Sequence, residues 1–198
     1  MGLLNTLKYH GRGVVLPVEE MKALIQRAMK ARNITHVTDF GAGTLFWSQW
    51  FAGALQLTVA AVDTAYTHDA PRNMYPGISM HANIDDVLAL RKNSGENSAI
   101  FICDVIHHLP PALWQSLFIQ ITEIFDLIII KDIDANAKVG NFLNKMHDRI
   151  INGEKINNVY PGHIESHLAR HGFATQINKM PKLWYPHFMI TGAKGAAQ

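Results

Sequence analysis

The chain has 198 residues, is 48% hydrophobic and 17% charged, carries a formal net charge of +2, and has a mean hydropathy near zero, at +0.01. That composition supports one sizeable core and excludes an intrinsically disordered, collagen-like or linker-like chain. A single cysteine, Cys103, excludes an internal disulfide framework and a thiolate zinc finger, and fits a reducing compartment.

At the N-terminus, residues 1–13 have neither the long apolar core nor the small-residue cleavage site of a signal peptide, so a cytoplasmic location is expected. Residues 1–6 satisfy the bare myristoylation pattern, which arises often by chance. The first helix is predicted from Pro17: its missing N–H would be an orphan there anyway, and Glu19 and Glu20 suit the positive end of the helix dipole. Met21, Leu24, Ile25 and Ala28 continue at helical spacing to Asn33, a C-terminal cap. A strand over 36–40 follows, is stopped by Gly41-Ala42-Gly43, and leads into an aromatic-rich helix over 45–54.

Four further apolar runs, at 57–62, 78–80, 99–103 and 127–131, are nearly continuous in hydrophobicity, as strands buried on both faces of a parallel sheet must be. None of the apolar stretches reaches the ~20 residues that span a bilayer; the longest, 50–62, is cut by Gln56 and Thr58. Helical patterns fall between the runs, one capped by Asn83 or Asp85 and one opened by Pro110-Pro111. After Lys131 come a long amphipathic helix over about 136–152, a second helix from Pro161 stopped by Gly172, and two runs at 173–179 and 183–191. The link between these last two is too short for a right-handed crossover, so they form an antiparallel pair. The expected fold class is α/β: a doubly wound, seven-stranded, mostly parallel sheet with an antiparallel C-terminal hairpin.

In such a sheet, ligands bind beyond the carboxyl ends of the strands. At the first strand end, Gly41 and Gly43 permit a tight turn and a close approach to a ligand, and the following helix points its N–H groups at that ligand. Asp63 ends the next strand, twenty residues past Gly43, where a carboxylate can accept both ribose hydroxyls. Phe46 stands where a dinucleotide fold needs its third glycine, which disfavours NAD. Asp39, two residues before Gly41, would repel a pyrophosphate and suits a ligand bearing an ammonium group, such as S-adenosylmethionine.

Through these residues the sequence resembles the class I (Rossmann-like) S-adenosylmethionine-dependent methyltransferases over about 37–191. Residues 37–43 look like their first motif, Asp63 like the acid ending their second strand, the segment from Asp104 to Pro110 like the "V-L-H-H-L" stretch after their fourth, and 127–132 like their fifth strand. The resemblance implies S-adenosyl-L-methionine as cofactor, with Asp39, Gly41 and Gly43 along its methionine part and Asp63 on the ribose. Asn83 stands where many members have an aspartate beside the adenine, and Asp104, heading the fourth-strand segment, is counted with the cofactor set. Leu45 replaces a frequent third glycine. The chain is expected to be one domain, with an N-terminal helical cover at 1–33 and a Rossmann-like core at 34–198 carrying a helical insert at 136–171.

Methyl transfer needs a nucleophile held in line, ~3 Å from an already activated methyl group, in a dry site. A base is needed when the nucleophile is a hydroxyl, and histidine is suited to that. His107 and His108 lie at the mouth of the fourth strand, either beside the methyl or capping the next helix. Lys131 and Asp132 end the fifth strand, orienting substrate or forming an ion pair. Asn144, His147 and Asp148 share one helix face, and His147 is the first choice for the base, with His108, Lys131 and Asp132 beside it. Asp104, Asp132 and Asp134 offer oxygen ligands for Mg²⁺ or an ion pair at the sheet end, His163, His167 and His171 offer imidazoles for zinc or a surface stripe, and no metal is expected. Phe46, Trp47, Trp50 and Phe51 read as core, with Trp47 or Trp50 available as a lid. Trp184, Tyr185, Pro186, His187 and Phe188 read as an acceptor wall or a buried strand.

The expected function is O-methylation of a small metabolite in biosynthesis, with a small-molecule acceptor as partner. Neither a membrane nor nucleic acid is expected as a partner: no Asn-Pro-Pro-Tyr-type motif or dense basic-aromatic face is present, and the nine acidic and three basic residues of 39–130 between two basic ends are no signal for nucleic acid. The alternatives are methylation of RNA or protein, and a catalytically silent methyltransferase fold that acts as a binding protein.

Overall fold

The computed structural model describes residues 16–66, 75–92, 94–147, 156–182 and 185–195. Along the chain the elements are α1 (Val18–Ala31), β1 (His36–Phe40), α2 (Phe46–Ala54), β2 (Thr58–Val62), β3 (Ile78–His81), α3 (Ile84–Arg91) and β4 (Ser98–Cys103). A 3₁₀ turn (Ile106–His108) then leads to α4 (Pro111–Ile124), β5 (Leu127–Ile133), α5 (Lys138–His147), α6 (Pro161–Arg170), β6 (Phe173–Lys182) and β7 (Tyr185–Lys194). No helix among the described residues is long and apolar enough to cross a membrane.

The strands form one seven-stranded sheet in the order β3-β2-β1-β4-β5-β7-β6. β1 to β5 are mutually parallel, while β7 runs antiparallel to both β5 and β6. The order reverses between β1 and β4, so the crevice of a doubly wound sheet opens at the carboxyl ends of those two strands.

The period-two alternation of the strands divides the interior into two apolar layers. Ala99, Phe101, Leu127, Ile129 and Met189 face Met21, Ile25 and Met29 of α1 and Trp47 and Phe51 of α2. Ile100, Ile102, Ile128, Ile130, Phe188 and Ile190 face Leu117, Phe118 and Ile121 of α4 and Ile164 and Leu168 of α6. Trp47 and Phe51 thus belong to the core, with the half-buried Phe46 and Trp50 packed against it: Trp47 meets Phe101 edge-on with ring centroids 5.3 Å apart.

Several boundaries differ from expectation. β5 runs two residues beyond Lys131, because β7 continues to pair with it as far as Ile133 opposite His187. The hairpin strands are also longer than expected, with Pro181 opposite Pro186. β6 lies at the sheet edge, so the donor missing at Pro181 breaks no ladder beyond it. α5 starts at Lys138 rather than near 136, because the Asp134 carboxylate accepts both the backbone and side-chain N–H groups of Asn136 and holds a turn there. The expected end of that helix near 152, Asp148, Trp184 and the part of the N-terminal cover before residue 16 lie outside the described residues.

Candidate cofactor and acceptor site

The glycine turn follows β1 directly. Gly41 has φ +79° and Gly43 φ +49°. A Cβ at Gly41 would overlap the Cγ2 methyl of Val105, so the β1 turn is pressed against the segment that follows β4 across the switch point. A Cβ at Gly43 would meet nothing nearer than the Gly41 carbonyl oxygen at 4.0 Å, leaving this part of the turn open. Leu45 takes φ +65° just before α2, a left-handed conformation that costs a residue with a Cβ about 1–2 kcal/mol and a glycine nothing.

Asp63, partly exposed at the end of β2, fastens this turn. Its Oδ2 accepts the Gly43 N–H at 2.8 Å and its Oδ1 the Ala65 N–H at 2.9 Å. Tyr66 donates its hydroxyl to the Gly43 carbonyl at 3.0 Å, and burial first, then the Asp63 and Asp39 carboxylates, push its phenol pKa upward. Each Asp63 oxygen retains a further lone pair, the acceptor capacity that a vicinal diol needs.

Asp39 is only 2% exposed and lies on the α2 face of the sheet. Its Oδ2 accepts the hydroxyl of the fully buried Ser48 at 2.6 Å. Burial pushes the Asp39 carboxyl up to about 7; the side-chain and backbone hydrogen bonds from Ser48 oppose that rise, and the Asp63 carboxylate adds to it. Asn83, exposed after β3, caps α3 by accepting the Asp85 N–H at 3.1 Å.

Beyond β4, Asp104 has φ +57°. Lys131, with no exposed surface, donates to Asp104 Oδ1 at 2.5 Å. Desolvation pushes the Asp104 carboxyl up, but the Lys131 ammonium, with His107 and His187 adding to it, outweighs this and brings it down to about 2. The next residue of β5, Asp132, is equally buried and points to the opposite face. There it holds His107 twice, Oδ1 to Nδ1 at 2.6 Å and Oδ2 to the backbone N–H at 3.3 Å, while Oδ1 also accepts the Ile133 N–H at 2.7 Å. Burial and then the Asp104 carboxylate push the Cys103 thiol well above its usual pKa, which keeps it protonated and inert.

Lys131 and Asp132 thus hold Asp104 and His107, respectively, from the end of β5. His108 is exposed, its ring centroid 4.0 Å from that of His107. His147 is the last described residue of α5, and its side chain lies outside the described residues. Asp134 turns away to Asn136 and Lys179. Among the described residues, the group whose ligand atoms converge, all within 4.8 Å of one another, is Asp104, His107 and Asp132, and Lys131 donates to its Asp104. Just past α6, His171 stacks on His167 at 4.5 Å and its Nδ1 lies 2.9 Å from the His167 carbonyl oxygen. Tyr185, His187 and Phe188 are buried in β7, with Tyr185 and His187 stacked.

Sequence reasoning missed Ser48, Tyr66 and Val105. Ser48 had a usable signal: a hydroxyl three residues before Phe51 stands on the apolar stripe of its helix, where a buried donor needs a partner.

No family model matches the sequence, and no curated protein matches it. Solved structures do match in fold. An S-adenosylmethionine-dependent methyltransferase from Archaeoglobus fulgidus aligns with a TM-score of 0.62 at 13% identity over 87% of this chain and 94% of its own. The chain has the class I methyltransferase fold. Magnesium protoporphyrin IX methyltransferase from Synechocystis, with S-adenosylhomocysteine bound, shares this methyltransferase fold with a TM-score of 0.63 at 14% identity over 89% of this chain and 83% of that one. So does 1,6-didemethyltoxoflavin-N1-methyltransferase from Burkholderia thailandensis, with a TM-score of 0.61 at 14% identity over 98% and 86% of the two chains. Methyltransferases of this fold act on varied acceptors, and the loop after β4 and the edge of β5 are where this chain's own polar groups collect.

Proposed function

We propose that the chain is an S-adenosylmethionine-dependent methyltransferase that methylates a hydroxyl oxygen of a small metabolite. The observation that carries this reading is the pairing of Asp39 and Asp63 at the carboxyl ends of adjacent parallel strands, on either side of an open glycine turn at the point where strand order reverses. In this reading Asp39, Gly41 and Gly43 receive the methionine part, Asp63 the ribose and Asn83 the adenine edge. Asp104 closes the cofactor side, kept anionic by Lys131.

Acceptor chemistry falls to His107, with the exposed His108 at the mouth and His147 further along the chain. Asp132 acts as an acceptor toward two backbone N–H groups as well as the ring, so the His107 hydrogen sits on Nδ1 and the basic nitrogen is Nε2. As the acceptor oxygen bonds to the methyl carbon, the carbon–sulfur bond breaks and the hydroxyl proton passes to Nε2. The products are a methyl ether and S-adenosylhomocysteine, and the imidazolium returns its proton to solvent.

Calorimetry with S-adenosylmethionine and S-adenosylhomocysteine tests the reading. Micromolar binding of both is the expected result. A folded chain that binds neither would be left as a scaffold, because fold does not fix function.

A further inference from the structure

We propose that Ser48 is a positioning residue for the cofactor: its hydroxyl, with the first turn of α2, holds the buried Asp39 carboxylate in the charged form that pairs with the ammonium of S-adenosylmethionine. This rests on the cofactor reading above and adds to it a residue and a pH dependence.

The geometry is specific. α2 starts at Phe46 after a left-handed Leu45, and no side chain at its own N-cap position accepts one of its free N–H groups. Asp39 approaches that end from β1 instead: its Oδ2 receives the Ser48 hydroxyl at 2.6 Å, and the Ser48 backbone N–H stabilises the same carboxylate. A carboxylate buried to 2% exposure is otherwise poorly suited to keep a charge. The groups that face it from the packed elements are Ser48 from α2, Asp63 and Tyr66 from the loop after β2, and Cys103 from β4. Ser48 is the one whose hydroxyl donates to it, whereas Asp63 opposes its ionisation.

A mere structural cap would not care which ligand is bound. A positioning role discriminates between ligands, because only a ligand with the amino-acid ammonium meets Asp39. Burial holds the carboxyl up at about 7, and loss of the Ser48 donor, one of the two Ser48 bonds that oppose that rise, would push it higher and lower the ionised fraction at neutral pH.

The test is calorimetry of the full chain with two probes, S-adenosylhomocysteine and methylthioadenosine, which shares the nucleoside thioether and lacks the amino acid. In the wild-type chain the advantage of S-adenosylhomocysteine is expected to grow from pH 6 to pH 8, with methylthioadenosine affinity flat. Ser48→Ala should cut that advantage about fivefold at pH 7 and move its rise to higher pH, and Ser48→Thr should restore it. Ser48→Cys, which keeps the volume and weakens the donor, serves if the alanine variant does not fold, and a smaller loss in the same direction is expected. Equal weakening of both probes, or no change in either, would overturn the role of Ser48 while leaving the cofactor site standing. A wild-type chain that binds neither probe would overturn both this role and the cofactor reading it rests on.

Discussion

Asp132 grips His107 from the neighbouring strand at two points, ring and backbone, although the residues are 25 apart in sequence. Both are buried, and the His107 carbonyl is fixed in turn by the Asn157 N–H at 2.7 Å. Such a clamp sets the tautomer of the imidazole as well as its orientation.

The first prediction follows from that clamp. In the wild-type chain, nitrogen NMR should find His107 as the Nδ1–H tautomer. Asp132→Asn replaces an acceptor that serves three donors with an amide that serves fewer, so the tautomer should shift toward Nε2–H and stability should fall by about 1–3 kcal/mol. An unchanged His107 spectrum in that variant would show that Asp132 does not set the tautomer.

Lys131 and Asp104 make a second, separate prediction. Lys131 is fully buried while the Asp104 side chain is 35% exposed, so losing the ammonium strands a partly solvated carboxylate, and Lys131→Ala should cost about 1–3 kcal/mol in denaturant unfolding. Asp104 titrates near 2 in the folded chain, below its unfolded value. Its contribution is therefore fully present above about pH 4 and lost as pH falls toward 2. The variant should lack that part of the acid limb of the stability profile, and a limb identical to wild type would refute the pairing.

These two pairs mark where sequence reading reached its end. The positions of Asp39, Gly41, Gly43 and Asp63 at the ends of β1 and β2 are legible in the sequence because each is set by its distance from a strand end, a local property that spacing reports. Lys131 and Asp132 were legible as polar residues at the end of an apolar run. Their partners were not, because β5 alternates faces: one residue turns to the β4 end on the α2 side and the next to the 3₁₀ turn on the α4 side, and that depends on the register with β4. The extension of β5 to Ile133 was hidden for the same reason, since the pairing that sustains it comes from β7. Asn83 suits both a cap and an adenine neighbour by sequence, and in the structure its side-chain carbonyl caps α3.

Asp39 should expose a cost of function. Its folded pKa, about 7, lies above the unfolded value near 4, so the native state binds the extra proton and the ligand-free chain should lose stability as pH rises from about 4 to about 7. Asp39→Asn keeps an acceptor for Ser48 without the charge. That variant should be more stable than wild type above pH 7 by ~2–4 kcal/mol, equal to it or weaker below pH 4, and deficient in S-adenosylhomocysteine binding. Thermal unfolding across that range checks the sign; a variant less stable at pH 8 would refute it.

Asp63 joins loop shape to binding. Asp63→Ala removes acceptors from Gly43 and Ala65 and, in the proposed complex, from the ribose, so affinity for S-adenosylhomocysteine should fall by about 1–3 kcal/mol. Tyr66→Phe removes only the bond to the Gly43 carbonyl and should separate the two effects, costing loop order but little affinity. Equal affinity losses in both variants would place the ribose elsewhere.

Gly41 and Val105 complete the set, because their contact joins the β1 turn to the β4 loop. Gly41→Ala meets two obstacles: a φ of +79°, worth about 1–2 kcal/mol, and overlap with the Val105 methyl. Val105→Ala removes the second obstacle and leaves the first. The double variant should therefore be more stable than the two single losses predict when added, by about 1 kcal/mol or more. Strict additivity in denaturant unfolding would mean that the β1 turn and the loop after β4 do not touch.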